Sequence, residues 1–314
     1  MSVRDDRGRN RMTVRAMTAA RGKSAVTEQE EPAAMTAAEK EQEQDGTAIK
    51  YMEEISLNAW PSYKIELYDG WLIRYSSNYT YRTNAVEQIG LSTIPTAEKI
   101  EYCERVYSKL GTPVNFKINP LLDPDFDRML GERGYEVRHV TEVMTCTICD
   151  LNLMQEEGRD YLFENRLNLP TLVRYGAGLT VQLRSVVTEE WMKGLFHLNG
   201  TADPRLRRIV PKMYAAIPKE TIAASIEIDG RIVATGLGIR DREWVGIYAI
   251  YVSPSCWRRH YARAVCSTIL TEAFRLGSTR AYLQVVKGNA PAKKLYESLG
   301  FRDFYTYWFR SRSV

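Results

Sequence analysis

Residues 244–265 read W-V-G-I-Y-A-I-Y-V-S-P-S-C-W-R-R-H-Y-A-R-A-V, an order suited to holding an anion. An aromatic and β-branched run ends at Val252. Pro254 then lacks an N–H and fixes its own φ, so strand pairing cannot continue through it. An Arg-rich turn leads directly into an apolar-periodic helix. The first turn of a helix has backbone N–H groups with no intrahelical acceptor, at the positive end of the helix dipole, and a diphosphate fits such a point. A second cluster, N-A-P-A-K-K-L-Y-E-S-L-G-F, occupies 289–301. Taken by itself, Asn289 is a helix N-cap ahead of Ala290 and Pro291, and Tyr296 shares a packing stripe with Ala292 and Leu299. A phenol can also keep its body in the core and its hydroxyl in a cleft.

At these residues the chain resembles the Gcn5-related N-acetyltransferases (GNAT), which transfer an acetyl group from acetyl-CoA to an amine. The family's pyrophosphate loop is R/Q-x-x-G-x-G/A after V-x-P. Here Val252, Ser253 and Pro254 are followed by W-R-R-H-Y-A at 257–262. Ala262 fits the last place, Trp257 stands where Arg or Gln is usual, and His260 stands where the first Gly is usual. Asn289, Tyr296, Gly300 and Phe301 fit the family's second block without a gap. The resemblance covers roughly residues 178–314.

It implies that the strand ending at Val252 splays from its neighbour, leaving the backbone of Ile250, Tyr251 and Val252 to pair with pantetheine. The N–H groups of Arg258, Arg259, His260, Tyr261, Ala262 and Arg263 are expected to wrap the diphosphate, with Arg258 and Arg259 adding full charge. Asn289 helps hold the pantetheine arm, and Tyr296 is the candidate acid for the leaving thiolate. A His at position 260 is expected to take negative φ in the helix's first turn and to leave CoA binding weakened but retained. The base is open. Relatives with a Glu five residues before the Asn correspond here to Gln284, and Glu227, Glu243 or a water chain remain. His197 reads as an ordinary helix residue.

Composition bounds the alternatives. The chain has 314 residues, 44% hydrophobic, with a net charge of +4, too mild for a clustered nucleic-acid surface. No run approaches the roughly 18 apolar residues of a membrane span. Five cysteines show no framework spacing. Cys146 and Cys149 lie in a strand-like run that points them to opposite faces, so they read as reduced core thiols rather than metal ligands. No metal site is expected, and a cytoplasmic location follows.

The elements that must position these residues form four segments. Residues 1–48, Arg-rich and then acidic without apolar periodicity, are expected to be disordered. Residues 49–150 show an Asp69-Gly70 hairpin, a helix over Ala97–Leu110 capped by Thr96, a strand at Val114–Ile118, a short helix at Asp125–Glu132 and a strand at Glu136–Ile148. R-M-L-G-E-R-G-Y-E-V here parallels K-K-L-Y-E-S-L-G-F-R later, so this segment resembles a degenerate second copy of the fold, without the phosphate loop, acting as a structural partner or substrate wall. Residues 151–177 are a linker with a helix at Gln155–Asn165. Residues 178–314 form the acetyltransferase domain. Its helix after the loop is expected at Arg258–Leu276, and Phe304–Arg310 closes its sheet.

The expected fold class is α/β, a mixed sheet with helices on both faces, GNAT-like, in tandem. The expected function is acetyl-CoA-dependent N-acetylation of a small-molecule or peptide amine by direct attack in a ternary complex, with acetyl-CoA as co-substrate. The alternative is a non-catalytic CoA-binding protein. Neither nucleic acid nor membrane is an expected partner, and a homodimer stays open.

Overall fold

The computed structural model describes residues 37–148, 159–162, 170–175 and 179–313. The chain divides into Met1–Glu41 and Gln42–Val314, and all the described strands lie in the second unit. Helix α1 spans Ala37–Ala59, so the stretch expected to be disordered through residue 48 is helical from Ala37. Residues 1–36 lie outside the described residues, as do Cys149 and most of the helix expected at 155–165. Within that span Arg159–Leu162 is a strand instead.

The first half runs β1 (Lys64–Tyr68), β2 (Trp71–Tyr75), β3 (Val86–Gln88), α2 (Thr96–Lys109), β4 (Val114–Ile118), α3 (Pro124–Glu132) and β5 (Glu136–Thr147). Two strands come next, β6 (Arg159–Leu162) and β7 (Thr171–Tyr175). The second half is β8 (Leu179–Arg184), α4 (Glu189–Asn199), α5 (Pro204–Ala215), β9 (Glu220–Ile228), β10 (Arg231–Asp241), β11 (Trp244–Val252), α6 (Tyr261–Arg275), β12 (Arg280–Val286), α7 (Ala290–Ser298) and β13 (Arg302–Arg312). From β1 and β9 onward the two halves repeat one order: three strands, helix, strand, helix, strand.

Among the described residues these strands form one sheet, ordered β1-β2-β3-β4-β13-β5-β12-β11-β10-β9-β8-β7-β6. All pairs are antiparallel except β3 with β4 and β11 with β12. The halves exchange their last strands. β13 lies between β4 and β5, and β5 pairs with β12 from Thr147↔Arg280 to Thr141↔Val286. The final strand therefore sits mid-sheet and does not close the second half, because β5 already occupies the free side of β12.

Helices cover both faces. Leu237 and Ile239 of β10 join the core under α4 and α5, which also takes Met52 and Ile55 of α1. The opposite face of β10 carries Gly236 and Gly238, over which Val265 and Ile269 of α6 pack. A third core lies under α2 and α3 around Trp71, Ile100, Phe116 and Leu130. At α3, α4, α5 and α7 a polar side chain supplies the acceptor that the helix start lacks. Asp123 accepts from Asp125 N–H, Thr188 from Trp191, Asp203 from Arg205 and Asn289 from Ala292. Helix α2 starts differently. Its N-cap is Pro95, and Thr96, expected as the cap, is already inside the helix. The preceding turn is held instead by Asp69, whose carboxylate accepts from the N–H groups of Thr93 and Ile94 at 2.8–3.0 Å.

Candidate active site

Strand β11 stays beside β12 only from Trp244↔Arg280 to Ile247↔Leu283. Beyond Ile247 the two part. Gln284–Val286 continue with β5, while β11 follows β10 to Val252. A bulge drives this fork. Ala249 has φ 51°, and Ala249 with Ile250 stand opposite the single residue Gly236, so β11 bends away from its parallel neighbour. Thr235 donates its hydroxyl to the Ala249 carbonyl at 3.0 Å. Gly236 makes the bend fit, since a Cβ there would lie 2.4 Å from Val265 Cγ1 and 2.8 Å from Ile250 Cδ1. Ile250, Tyr251 and Val252, the expected pantetheine strand, thus form one prong of the fork. The Val252 carbonyl accepts from Trp257 Nε1 at 3.0 Å, which leaves its second lone pair.

The chain then turns through a 3-10 segment at Pro254–Cys256, and α6 begins at Tyr261, three residues later than expected. Arg258 and His260 are both left-handed, with φ 61° and 60°. The expectation of negative φ at His260 is therefore wrong. The residue keeps the conformation a glycine would take, at a cost of about 1–2 kcal/mol for a left-handed non-glycine residue, although His tolerates positive φ better than most. Turns of this kind create concave surfaces of backbone amides that bind anions. Arg258, Arg259 and His260 are exposed, and Tyr261 and Ala262 are half-buried. Among the described residues no carboxylate pairs with Arg258 or Arg259, and none accepts from the N–H groups of 258–262. Arg263 differs from them. Its guanidinium donates to Ser298 Oγ at 3.0 Å and to the Ser298 carbonyl at 3.3 Å, tying α6 to α7.

Tyr296 of α7 packs into the core beneath α6, edge-on to Phe301 at 6.1 Å. Burial pushes its phenol well above the ordinary tyrosine range, and the Cys266 thiol and Tyr251 phenol add to the effect. The hydroxyl is thus a neutral donor at physiological pH, and Tyr296 and Tyr251 are near enough to influence each other. Asn289 caps α7, its Oδ1 accepting from Ala292 N–H at 3.3 Å.

The base candidates fare unequally. Glu243 lies in the β10–β11 turn, about 30 Å of extended strand from Val252 at ~3.3 Å per residue. It accepts from Tyr51 and Trp244 and is remote from the fork. Glu227 is exposed beside the β9–β10 turn, and His197 is exposed on α4. The amide of Gln284 is engaged at both ends, donating to Ser56 Oγ at 3.0 Å and accepting from Tyr307 at 2.8 Å.

Sequence reasoning missed a cavity of about 500 Å³ that opens onto the fork. Tyr248, Ala249 and Tyr251 of β11 form one wall, Asn199–Asp203 between α4 and α5 another, and Trp60, Tyr79 and Arg82 of the first half a third. Trp60 stacks on Tyr248 with ring centroids 5.4 Å apart and meets Tyr214 edge-on at 5.2 Å. Burial raises the Tyr79 and Tyr248 phenols to about 12, so both stay neutral. No local pattern marks these residues, which come together only through the pairing of the two halves. A larger cavity, about 790 Å³, lies at the closed end of β11 and β12 by Trp244 and Arg280 and shares no residue with the fork.

A forked parallel pair, a glycine-like turn feeding a helix and a capped Asn-to-Tyr helix all lie in the part of the chain that matches a known family. Residues 187–301 match the acetyltransferase (GNAT) family. The chain is 23% identical over 274 residues to the protein described as uncharacterized N-acetyltransferase YobR of Bacillus subtilis (strain 168), spanning 83% of this chain and 98% of that one. Its fold is similar to that of a GCN5-related N-acetyltransferase from Kribbella flavida, with a TM-score of 0.55 at 16% identity over 90% of this chain and 97% of the other. It is also similar to a tandem GNAT protein from the clavulanic acid biosynthesis pathway, with a TM-score of 0.54 at 10% identity over 72% and 75% of the two chains. The α/β mixed sheet and tandem arrangement expected from sequence are thereby borne out. Among the described residues no helix is long and apolar enough to cross a membrane, and no group of three His, Cys, Asp or Glu is placed to hold a metal.

Proposed function

We propose that the protein acetylates an amine with acetyl-CoA by direct attack in a ternary complex. The observation that carries this reading is the fork itself. The unpaired side of β11 from Tyr248 to Val252 offers a strand edge to pantetheine, and the chain passes from it through the 3-10 segment at Pro254–Cys256 to the arginine turn at 258–260 and the start of α6. In the step proposed, the amine nitrogen attacks the acetyl carbonyl carbon, the new C–N bond forms and the C–S bond breaks. The amine's proton leaves to water, and the sulfur gains one from Tyr296, which is reprotonated from solvent. The aromatic cavity beside the fork receives the amine, with residues 49–150 as the substrate wall and 178–314 as the acetyl-CoA-binding half. Thiol release from acetyl-CoA with a panel of amines, beside calorimetry with acetyl-CoA alone, tests the proposal. Absence of acetyl-CoA binding would end it.

A second reading, CoA binding without turnover, has one observation in its favour: Gln284 stands where some relatives carry a carboxylate. Binding without amine-dependent thiol release would establish it. A cytoplasmic site of action belongs to the same proposal and is supported by buried thiols at Cys103, Cys256 and Cys266.

A further inference from the structure

Three cations and two carboxylates lie close together in the first half, and one of them, Arg82, also lines the cavity. Arg74 Nη1 pairs with Glu87 at 2.7 Å, and Lys117 reaches Glu53 at 2.6 Å and Glu87 at 3.4 Å. The two carboxylates are thereby matched. The third cation, Arg82, has no carboxylate partner among the described residues. Its one side-chain hydrogen bond is a long one of 3.5 Å from Nη1 to the Tyr307 hydroxyl, and its buried Nε has no acceptor. His139, beside Tyr81 at 4.0 Å between rings, offers no compensation, because burial and the Arg82 charge hold its imidazole below the ordinary histidine range. A guanidinium stays charged at any physiological pH, and leaving one inside a protein without a counter-ion is costly.

Arg82 is also held in place. It sits on the 3-10 turn Tyr81–Thr83, and the Asn84 side chain staples the loop around it. Asn84 Oδ1 accepts from the Ser76 and Asn78 N–H groups at 2.7 and 3.0 Å, while its Nδ2 donates to the Thr80 carbonyl at 2.6 Å. Trp60 Nε1 donates to Thr80 Oγ1 at 3.3 Å. A guanidinium carried on a stapled turn, with no carboxylate beside it among the described residues, on the wall of a cavity that opens onto the fork is a receptor for a planar oxyanion, which it can bind with two parallel hydrogen bonds.

Resting on the acetyltransferase reading above, we infer that the acceptor is an amine that also carries a carboxylate, and that Arg82 receives this carboxylate while the aromatic walls of Trp60, Tyr79 and Tyr248 hold the apolar part between acid and amine. Arg82 is then a specificity-determining residue supplied by the half that does not bind acetyl-CoA.

The test uses the full chain and matched pairs of acceptors that differ only at the acid, namely aromatic and aliphatic L-amino acids against their amides, and 4-aminobenzoate against aniline. Thiol release should favour the carboxylate member of the productive pair at least about tenfold in kcat/KM. Arg82→Gln should collapse that preference toward one, and Arg82→Lys should restore part of it, since a lysine keeps the charge but not the two-pronged geometry. A merely structural role would lower both members of a pair alike and leave their ratio intact. In parallel, calorimetry should report saturable binding of phenylacetate and benzoate to wild type, weakened in Arg82→Gln. Amides turned over as well as acids, or a ratio unmoved by Arg82→Gln, would overturn the inference. So would the absence of carboxylate binding in a protein that calorimetry shows to bind acetyl-CoA. Failure to bind acetyl-CoA at all would strike the acetyltransferase reading instead, and carboxylate binding lost on Arg82→Gln would still stand as evidence for the receptor.

Discussion

The two halves of the sheet build the same turn and fill it differently. In each, a strand beside a parallel neighbour runs into a loop and then a helix. Before α2 the loop is closed by the chain's own anion. Asp69 accepts from Thr93 and Ile94 backbone N–H groups and from the Thr93 hydroxyl, and Lys99 pairs with it at 3.3 Å. Before α6, among the described residues, no internal carboxylate serves that purpose, and the turn carries Arg258 and Arg259 instead. The contrast continues downstream. Aligning Gly134-Tyr135 with Gly300-Phe301 puts Asp123 against Asn289, both N-caps, and fully buried Leu130 against Tyr296. One framework thus yields a sealed half and an open one. The difference lies in a handful of side chains at the turn and the last helix, while the backbone order is shared.

The largest expected effect is chemical. Tyr296→Phe turns the position toward its Leu130-like counterpart. It should lower kcat about 100-fold, within the range for loss of a general acid, with the dissociation constant for acetyl-CoA unchanged by calorimetry. Equal turnover would leave the hydroxyl no part in the reaction. Next comes the bend that opens the second half. Gly236→Ala inserts a methyl 2.4 Å from Val265 Cγ1. Overpacking of this kind should cost about 2 kcal/mol of stability, read by denaturant unfolding.

A smaller effect comes from giving the open turn its own anion, as the sealed one has. Arg259→Asp should weaken acetyl-CoA binding about tenfold, with the deficit shrinking at high salt because the site is exposed. The smallest is in the sealed half. Backbone N–H donation from Ile94, joined by the Thr93 and Lys99 contacts, holds the Asp69 carboxyl down at about 2, below the ~3.9 of an unfolded aspartate. A depressed carboxyl stabilises the fold above its unfolded value, and the benefit fades as pH falls toward the folded one. Asp69→Asn should therefore melt below wild type at neutral pH, and the gap should close between about pH 4 and 2. A gap of constant size across that range would deny Asp69 its role as internal anion.

Much of this was legible where the signal is local. Val114–Ile118 is β4 to the residue, Pro204 opens α5 behind Asp203, and Asn289 caps α7 as its place before Ala290-Pro291 requires. The fork was expected only as what the family resemblance implies, and the bulge at Ala249 that makes it carries no sequence mark. What sequence could not carry was everything made by distant pairing. Thr96 looked like a cap, but the anion that serves α2 sits 27 positions earlier, in the β1–β2 turn. His260 looked fit for negative φ because nothing in W-R-R-H-Y-A states the handedness that the bend after β11 imposes. Nothing in Y-R-T-N-A singles out Arg82, and only the meeting of the halves leaves it without a counter-charge.

The exchange of β5 and β13 sets the timetable by which this chain becomes a protein. As the polypeptide leaves the ribosome, β4 has a bare edge that its sequence neighbour β5 is free to cover wrongly. The correct partner is encoded in residues 302–312, far along the chain from β4. Contacts so distant in sequence form slowly and leave strand edges exposed meanwhile. Neither half is complete until β13 joins the sheet, and loss of residues 302–312 would disable the half that was synthesised first.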